Sequence, residues 1–427
     1  MMAWITGADG GPDQQWRGER ARLTQFLEEM LSGLGRTERR RWGAVYVRGL
    51  LGTNERKSAA RMAAQLADGE VQGLQQFVGQ SPWAWGPVRE QLAQRMTREL
   101  QPVAAWIVDD TGFPKKGRHS VGVARQYSGT LGKVGNCQVA VSLHYATDDA
   151  AIPLDFQLYL PEEWFGEEQR REARIPDSVT FKTKGDIALD LIDQALAWKI
   201  PTGVVAADAG YGNRAAFRLA LAQRGLLYAV GIDGSTTAWP AADWPETAEA
   251  QVSAAAGKRP RGRPRRTPQE LPAPLSVHKL AQALPQERWR SVTWREGTRG
   301  PMTSRFAAMR VRPAHGYRHA EEGEEPQWLL LEWLAGQAGP SRQWLSTLPP
   351  STDLASLVRM VKIRWWIEQG YQQLKDELGL DHYEGRRWQG WHHHVTLTMM
   401  AFAFLALERL RTKKNFWVAL ATADDPA

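Results

Sequence analysis

At 427 residues the chain exceeds what one compact core holds, so its length predicts two to four domains. A net charge of +7 and a sequence pI near 9.5 favour a polyanionic partner such as nucleic acid. No secretory signal opens the chain and no apolar run reaches the ~18 to 20 residues of a membrane span, which argues against a membrane protein and predicts a cytoplasmic one. One cysteine, Cys137, excludes an intramolecular disulfide and a cysteine-based zinc site.

Residues 1–100 have a helical pattern, with apolar side chains at helical spacing from Leu23 to Leu31. No cluster of acidic residues interrupts them. The basic run "RTERRRW", from Arg36 to Trp42, fits either contact with phosphates or an ordinary solvated helix face. We expect this segment to be a helical DNA-binding domain.

Strand patterns follow in residues 101–233. "AAWIVDD", "SVGVARQYSG" and "CQVAVSLHYAT" alternate with short Gly/Lys turns, as in an antiparallel meander. Next come the helical pattern "GDIALDLIDQALAWKI", the strand "GVVAADAGYG", the helix "NRAAFRLALAQRG" and the strand "LLYAVGI". This order predicts an α/β fold with a mixed sheet.

Two strands in this region end in carboxylates. Asp109 and Asp110 are adjacent on one strand, so their side chains point to opposite faces and at most one can face a given site. Asp208 lies at the end of its strand, from which a side chain faces a cleft at the carboxyl edge of a sheet. The loop after Asp110 carries three cations, Lys115, Lys116 and Arg118, which could face phosphate.

Residues 234–350 read as a β-rich insertion with a basic linker, and residues 351–427 as a helical region that opens with a long amphipathic helix. In that helix Arg364 precedes Glu368 by four residues and Lys375 follows it by seven, within a stripe of ~60° at ~100° per residue. Taken alone, this stripe is better explained as a solvated helix face with charge pairs. The apolar Trp365, Trp366 and Ile367 on the other faces favour a buried helix whose charged stripe faces a cleft.

A helix carboxylate joined to two strand-end carboxylates is the donor set that two-metal phosphoryl transfer requires. Mg²⁺ takes carboxylate oxygens together with substrate phosphate and water. The sequence therefore predicts a site for two Mg²⁺ ions, for which Mn²⁺ can substitute, with neighbouring cations holding DNA phosphates.

The segments "IVDDT", "VVAADAGYG" and "RWWIEQGYQQLK" resemble the catalytic blocks of bacterial insertion-sequence transposases of the DDE class, in the branch with a Tyr-Arg-Glu-Lys signature. "DDTGFPKKGRHSVGVARQYSG" and "LGLDHYEGRRWQGWHHH" extend the resemblance. It implies an RNase H-like fold with Asp110, Asp208 and Glu368 as the catalytic and metal-binding acids. Arg364 and Lys375 match the signature's Arg and Lys.

The resemblance implies metal-dependent cleavage of DNA ends and strand transfer by the freed 3′-hydroxyl. Its partners would be double-stranded DNA, namely terminal repeats and target, bound by a homo-oligomer. The signature Tyr is replaced by Val361, which puts a phosphate contact in doubt. A domesticated non-catalytic DNA-binding protein and an RNase H-like nuclease without strand transfer stay open as alternatives.

Two further motifs need an interpretation. "KRPRGRPRR" resembles an AT-hook, in which Arg261 and Arg263 would enter an A·T-rich minor groove, although a flexible basic linker fits as well. The run His392, His393, His394 resembles a metal-binding tract. A helix spreads consecutive side chains around its axis, so we expect capping or packing roles instead.

Overall fold

A computed structural model of the chain describes residues 13–66, 68–241, 273–297, 300–314 and 325–423. Contacts group the chain into two units. Unit 1 contains residues 1–103, 109–201 and 366–427, and unit 2 contains residues 104–108 and 202–365. The first β-strand is thus divided between the units, which are described in turn.

Helices dominate the described part of the first hundred residues, as the apolar spacing predicts. They are α1 (Asp13–Met30), α2 (Thr37–Leu51), α3 (Ala59–Gln65), α4 (Val71–Gly79) and α5 (Trp85–Glu99). Residues at three- and four-residue spacing such as Leu23, Leu27 and Met30 are at most 3% exposed, so one face of α1 is core. Ser58 caps α3 by accepting a hydrogen bond from the Arg61 amide.

The strands of unit 1 have the order β2-β3-β1, and β4 also pairs with β3. Their bounds are β1 (Ala105–Pro114), β2 (Ala124–Ser128), β3 (Lys133–Ala146) and β4 (Ala151–Tyr159). The predicted meander placed β2 next to β1, which is wrong, because β3 lies between them. The length of β3 explains the difference: residues 133–137 pair with β2 and residues 139–146 pair with β4, both antiparallel.

Two helices follow β4 in the part of unit 1 that the structure describes. They are α6 (Glu167–Ala173) and α7 (Lys184–Ala197), and α7 packs on β3 and β4. A capping box starts α7: the Thr183 hydroxyl accepts from the Asp186 amide, and the Asp186 carboxylate accepts from the Thr183 amide. Lys184 is consequently the first residue of the helix.

A long C-terminal helix, α13 (Trp388–Ala423), forms the centre of unit 1, and it packs on α2, α4, α5 and β4. The stretch from Val395 to Leu407 is almost entirely buried, which confirms that this apolar run is a core helix. His392, His393 and His394 are each 0% exposed. Their predicted packing role is confirmed: the His393 ring stacks on Trp83 at 3.7 Å between ring centroids.

Unit 2 begins with three parallel strands, the first half of β1, then β5 (Val204–Ala207) and β6 (Tyr228–Ile232). Val108 pairs with Ala207, and Ala207 pairs with Val230. These strands are continuous apolar runs, as expected for parallel strands covered on both faces. The short helix α8 (Ala209–Gly212) and α9 (Ala215–Gln223) connect β5 to β6.

The rest of unit 2 extends this sheet with antiparallel strands in the order β6-β12-β11-β10-β7-β8, and β9 pairs with β10. Their bounds are β7 (Thr237–Pro240), β8 (Leu275–Ser276), β9 (Arg290–Gly297), β10 (Gly300–Pro313), β11 (Gln327–Trp333) and β12 (Arg342–Ser346), with α10 (Val277–Ala283) after β8. The β-rich insertion is therefore present, and its strands continue the sheet rather than forming a separate layer. The fold is a mixed α/β fold of the RNase H-like type.

The single long helix predicted after residue 350 is wrong. The chain forms α11 (Leu354–Lys362), a turn, α12 (Trp365–Gln372) and then a π-helical turn, Gln373–Glu377. In unit 2 the Lys362 ammonium, on the last turn of α11, is held by the buried Glu332 carboxylate at 2.6 Å. Because a π turn closes i→i+5 hydrogen bonds, the spacing of ~100° per residue does not extend to Lys375.

A buried ion pair joins the N-terminal helices, β4 and α13 within unit 1. Arg89 of α5 is 1% exposed and pairs with Asp155 of β4. Its Nε donates to the Thr396 hydroxyl at 2.7 Å, and an Nη donates to the His392 carbonyl at 3.0 Å. Burial raises the pKa of Asp155, and the Arg89 guanidinium opposes this increase.

Arg89→Met should lower the free energy of unfolding by about 3–5 kcal/mol, because it leaves Asp155 as a buried carboxylate without its cation. Urea denaturation followed by tryptophan fluorescence measures this change. Arg95→Ala on the same helix is the control, since the partly exposed Arg95–Glu99 pair contributes at most about 1 kcal/mol. Equal small losses in both variants would contradict a structural role for the buried pair.

Candidate functional site

The second half of β1 carries the first predicted carboxylate. Burial along the strand changes from the fully buried residues 105–108 to the half-buried pair Asp109 and Asp110. The Asp110 Oδ2 atom accepts a hydrogen bond from the Lys184 ammonium at 2.6 Å. The Asp109 Oδ1 atom accepts from the Asp110 amide at 2.8 Å. The two neighbouring carboxylates therefore have different partners.

Asp208 follows the last residue of β5 in unit 2 and is the N-cap of α8. Its Oδ1 atom accepts a hydrogen bond from the Gly210 amide at 2.9 Å. The turn requires glycine at Gly212, because a Cβ there would lie 2.0 Å from the Gly231 carbonyl oxygen. "DAGYG" thus turns tightly from strand to helix and holds Asp208 at the carboxyl end of β5.

Glu368 is exposed and lies in the first turn of α12, beside the fully buried Ile367. One turn further, the Tyr371 hydroxyl lies 2.6 Å from the Ser142 hydroxyl of β3. Its ring meets that of His144 edge-on, with centroids 5.5 Å apart. Tyr371 therefore secures the Glu368-bearing helix to β3 within unit 1.

Lys375 lies in the π turn, and its ammonium donates to the Gly112 carbonyl at 2.9 Å and the Thr130 hydroxyl at 3.0 Å. Burial lowers the pKa of Lys375. Arg364 lies in the turn between α11 and α12 and is half-buried. Because α11, α12 and the π turn are separate segments, Arg364, Glu368 and Lys375 do not share one face of a regular helix. Contact of either cation with DNA stays a prediction.

The basic loop after β1 has two kinds of cation. Lys116 and Arg118 are exposed. The Lys115 ammonium instead donates to the Asp381 carbonyl at 2.9 Å and the Tyr383 carbonyl at 2.6 Å, and burial lowers its pKa to about 8. Lys115 thus anchors the loop to the segment before α13, whereas Lys116 and Arg118 face solvent.

Lys184 was missed by sequence reasoning, although it is the direct partner of Asp110. A signal for it exists in "TKGD", where the Thr183 and Asp186 capping box predicts the start of a helix and places a lysine at its first position. A cation there is unfavourable for the helix dipole, which points to a partner elsewhere. The AT-hook residues Arg261 and Arg263 lie outside the described residues.

The proposed carboxylates have the chemistry that hard divalent cations require, with oxygen donors that solvent reaches. The Asp110 side chain is 26% exposed. Its carboxylate already has a cation at hydrogen-bond distance, the Lys184 ammonium. Within the described ranges, no group of three or more His, Cys, Asp or Glu side chains is gathered as a metal centre. The residue types fit a divalent metal, and its binding by these side chains is a proposal.

The expectation that β1 ends at its carboxylates is wrong, because the strand continues to Pro114, whereas β5 does end directly before Asp208. A mixed sheet of the RNase H-like type with an aspartate within one strand and another directly after the neighbouring parallel strand is typical of a class of nucleic-acid-processing enzymes. The sequence model of the DDE superfamily endonucleases matches residues 29–301, and the chain belongs to this family. The matched segment contains Asp110 and Asp208, whereas Glu368 lies beyond it. The assignment of Glu368 therefore depends on its motif.

The chain is similar to a probable transposase for insertion sequence element IS701 from Microchaete diplosiphon, with 30% identity over 167 residues. This similarity covers 39% of the chain and 41% of the relative, so the chain spans about two fifths of the length of that protein. Among the described residues, no helix is both long and apolar enough to cross a membrane.

Substitutions in the loop after β1 should distinguish the lysine that anchors the loop, Lys115, from the exposed cations predicted to contact DNA, Lys116 and Arg118. If Lys116 and Arg118 each contact one phosphate, as predicted, Lys116→Ala and Arg118→Ala should each reduce the slope of log K against log salt concentration by about one unit. Lys115→Met should leave this slope unchanged and lower the free energy of unfolding by about 1–3 kcal/mol, since it leaves buried carbonyls unpaired. Titration of duplex DNA at several salt concentrations and urea denaturation provide the two measurements. A flatter slope for Lys115→Met with unchanged stability would contradict the anchoring role.

Proposed function

We propose that the chain is an insertion-sequence transposase of the DDE class, of the branch with the Tyr-Arg-Glu-Lys signature. It cleaves DNA at the element ends and joins the freed 3′-hydroxyl to target DNA. Its partners are the double-stranded terminal repeats and target, which it binds in the cytoplasm as a homo-oligomer. Membership of the DDE endonuclease family and the similarity to a probable IS701 transposase support this proposal.

The arrangement of β1 and β5 in unit 2 gives the strongest structural support. The strands are parallel, and Val108 pairs with Ala207. Asp110 follows Val108 by two residues within β1, at the point where its pairing with β5 has ended, and Asp208 is the residue directly after β5. Such strand ends are where enzymes of open α/β sheets carry their catalytic side chains.

Asp110, Asp208 and Glu368 are the proposed acids that hold two Mg²⁺ ions, with Mn²⁺ as a substitute. The metal would make the attacking oxygen a better nucleophile and stabilise the leaving oxygen of the phosphodiester. Arg364, Lys375, Lys116 and Arg118 are the proposed phosphate contacts, with Lys115 supporting the loop and Arg261 and Arg263 binding DNA from the linker. Val361 stands where the signature has Tyr, so the proposed branch depends on the other signature residues.

Asp110→Asn, Asp208→Asn and Glu368→Gln should each reduce cleavage in Mg²⁺ by orders of magnitude while DNA binding is retained. Each substitution removes a ligand charge and nearly preserves shape. The substrate is a duplex carrying the inverted repeats that flank the gene, and cleavage and joining to a second duplex are followed on gels.

Asp109→Asn is the matched control, because this neighbouring carboxylate is not assigned to the metal. It should retain cleavage. Substantial cleavage by Asp208→Asn would reject the assignment of the acids. Cleavage without joining, when both donor ends and target are supplied, would identify a nuclease rather than a transposase.

Lys375→Met should weaken binding to cleaved ends and reduce its salt slope by about one unit, because one phosphate contact is lost. Lys375→Arg retains the charge and should keep the slope. The free energy of unfolding of each variant should also be measured by urea denaturation, since the Lys375 ammonium donates to the Gly112 carbonyl and the Thr130 hydroxyl. An unchanged slope with reduced stability would assign Lys375 a structural role alone.

A further inference from the structure

The Lys184–Asp110 ion pair lies entirely within unit 1. The Nζ to Oδ2 distance is 2.6 Å, and the side chains of Lys184 and Asp110 are 31% and 26% exposed. The Lys184 ammonium also lies 6.0 Å from the centre of the Tyr159 ring, on strand β4. The ammonium is therefore partly enclosed and in direct contact with the first acid of the proposed site.

Local helix energetics do not account for a lysine at this position. The first turn of a helix carries partial positive charge and favours acidic residues, so a cation at the first position is unfavourable. The capping box of Thr183 and Asp186 satisfies the helix start without Lys184. The Asp110 carboxylate is the group that stabilises the ammonium here.

We propose that Lys184 is a built-in counter-ion of Asp110, which a divalent metal ion must displace from Oδ2 when it binds. This inference rests on the proposed function, since it takes Asp110 as a metal ligand. The Lys184 ammonium lies 2.6 Å from Oδ2 of Asp110. A metal ion and the ammonium cannot occupy the same position beside this oxygen, so the metal must replace the ammonium. Lys184 keeps the carboxylate neutralised before metal arrives and thereby raises the metal concentration at which the site fills.

The test measures metal binding directly, without DNA and without turnover. Mn²⁺ is titrated into the full-length protein, and free Mn²⁺ is read from its electron paramagnetic resonance signal. Lys184→Met should bind Mn²⁺ about three- to fivefold more tightly than the wild type, the upper part of the range that corresponds to loss of a partly exposed ion pair. Lys184→Gln is the second variant and should change the affinity in the same direction.

Two controls separate charge from structure. Lys184→Arg retains a cation beside Asp110 and should keep the wild-type affinity within about twofold. Lys182→Met removes a cation two residues away that forms an equally short pair, 2.6 Å, with Asp190, and it should leave Mn²⁺ affinity unchanged. A purely structural role for Lys184 would not increase metal affinity in any variant.

Unchanged or weaker Mn²⁺ binding by both Lys184→Met and Lys184→Gln would overturn the counter-ion role. The proposed function would still stand in that case if the wild type binds Mn²⁺ and Asp110→Asn abolishes this binding. Binding that appears in Lys184→Met but is undetectable in the wild type would support the inference in its strongest form. No Mn²⁺ binding by the wild type or either variant would overturn both the inference and the proposed metal site.

Discussion

The hydrogen-bonding requirement of β1 is the constraint on which the rest of the structure depends. Trp106, Ile107 and Val108 are 0% exposed, so their backbone groups must be paired by neighbouring strands. In unit 2 the parallel strand β5 provides this pairing, and its register brings Ala207 opposite Val108. The chain then leaves the apolar half of β1 for the half-buried Asp109 and Asp110. The strand is buried again at residues 111–113, so Asp109 and Asp110 form a half-buried interruption between two buried stretches of β1.

Much of this arrangement could be predicted because its signals are local. An apolar run gave β6, and helical spacing gave α7 and α9, each close to its observed bounds. The strand predicted from "GVVAADAGYG" is correct only over Val204–Ala207, because Ala209–Gly212 forms the short helix α8. Asp208 was placed at a strand end from "VVAADAGYG" alone, and the structure has it as the residue after β5. The burial of the C-terminal apolar helix followed in the same way from its composition.

The parts that could not be predicted depend on partners far away in the chain. Lys184 and Asp110 are 74 residues apart, and Lys115 and Asp381 are 266 apart, so no periodicity links them. The break between α11 and α12 has no Pro or Gly to signal it, and it follows the turn at which Lys362 is held by Glu332. The length of β3 similarly decided which strands became neighbours. Long-range contacts, rather than local propensity, fixed these features.

The three proposed acids differ in the local interactions that stabilise their negative charge in the protein without a metal ion. Asp208 caps the single turn α8 by accepting a hydrogen bond from the Gly210 amide. Glu368 lies in the first turn of α12, where the helix dipole favours negative charge. Asp110 lies within a strand, where no helix terminus of its own can stabilise it, and there the ammonium of Lys184 fulfils this role. Each carboxylate therefore has a compensating partner that matches its secondary structure. A strand, unlike a helix start, contributes almost no dipole to the charge at Asp110, so the Lys184 ammonium is the interaction that compensates the carboxylate there.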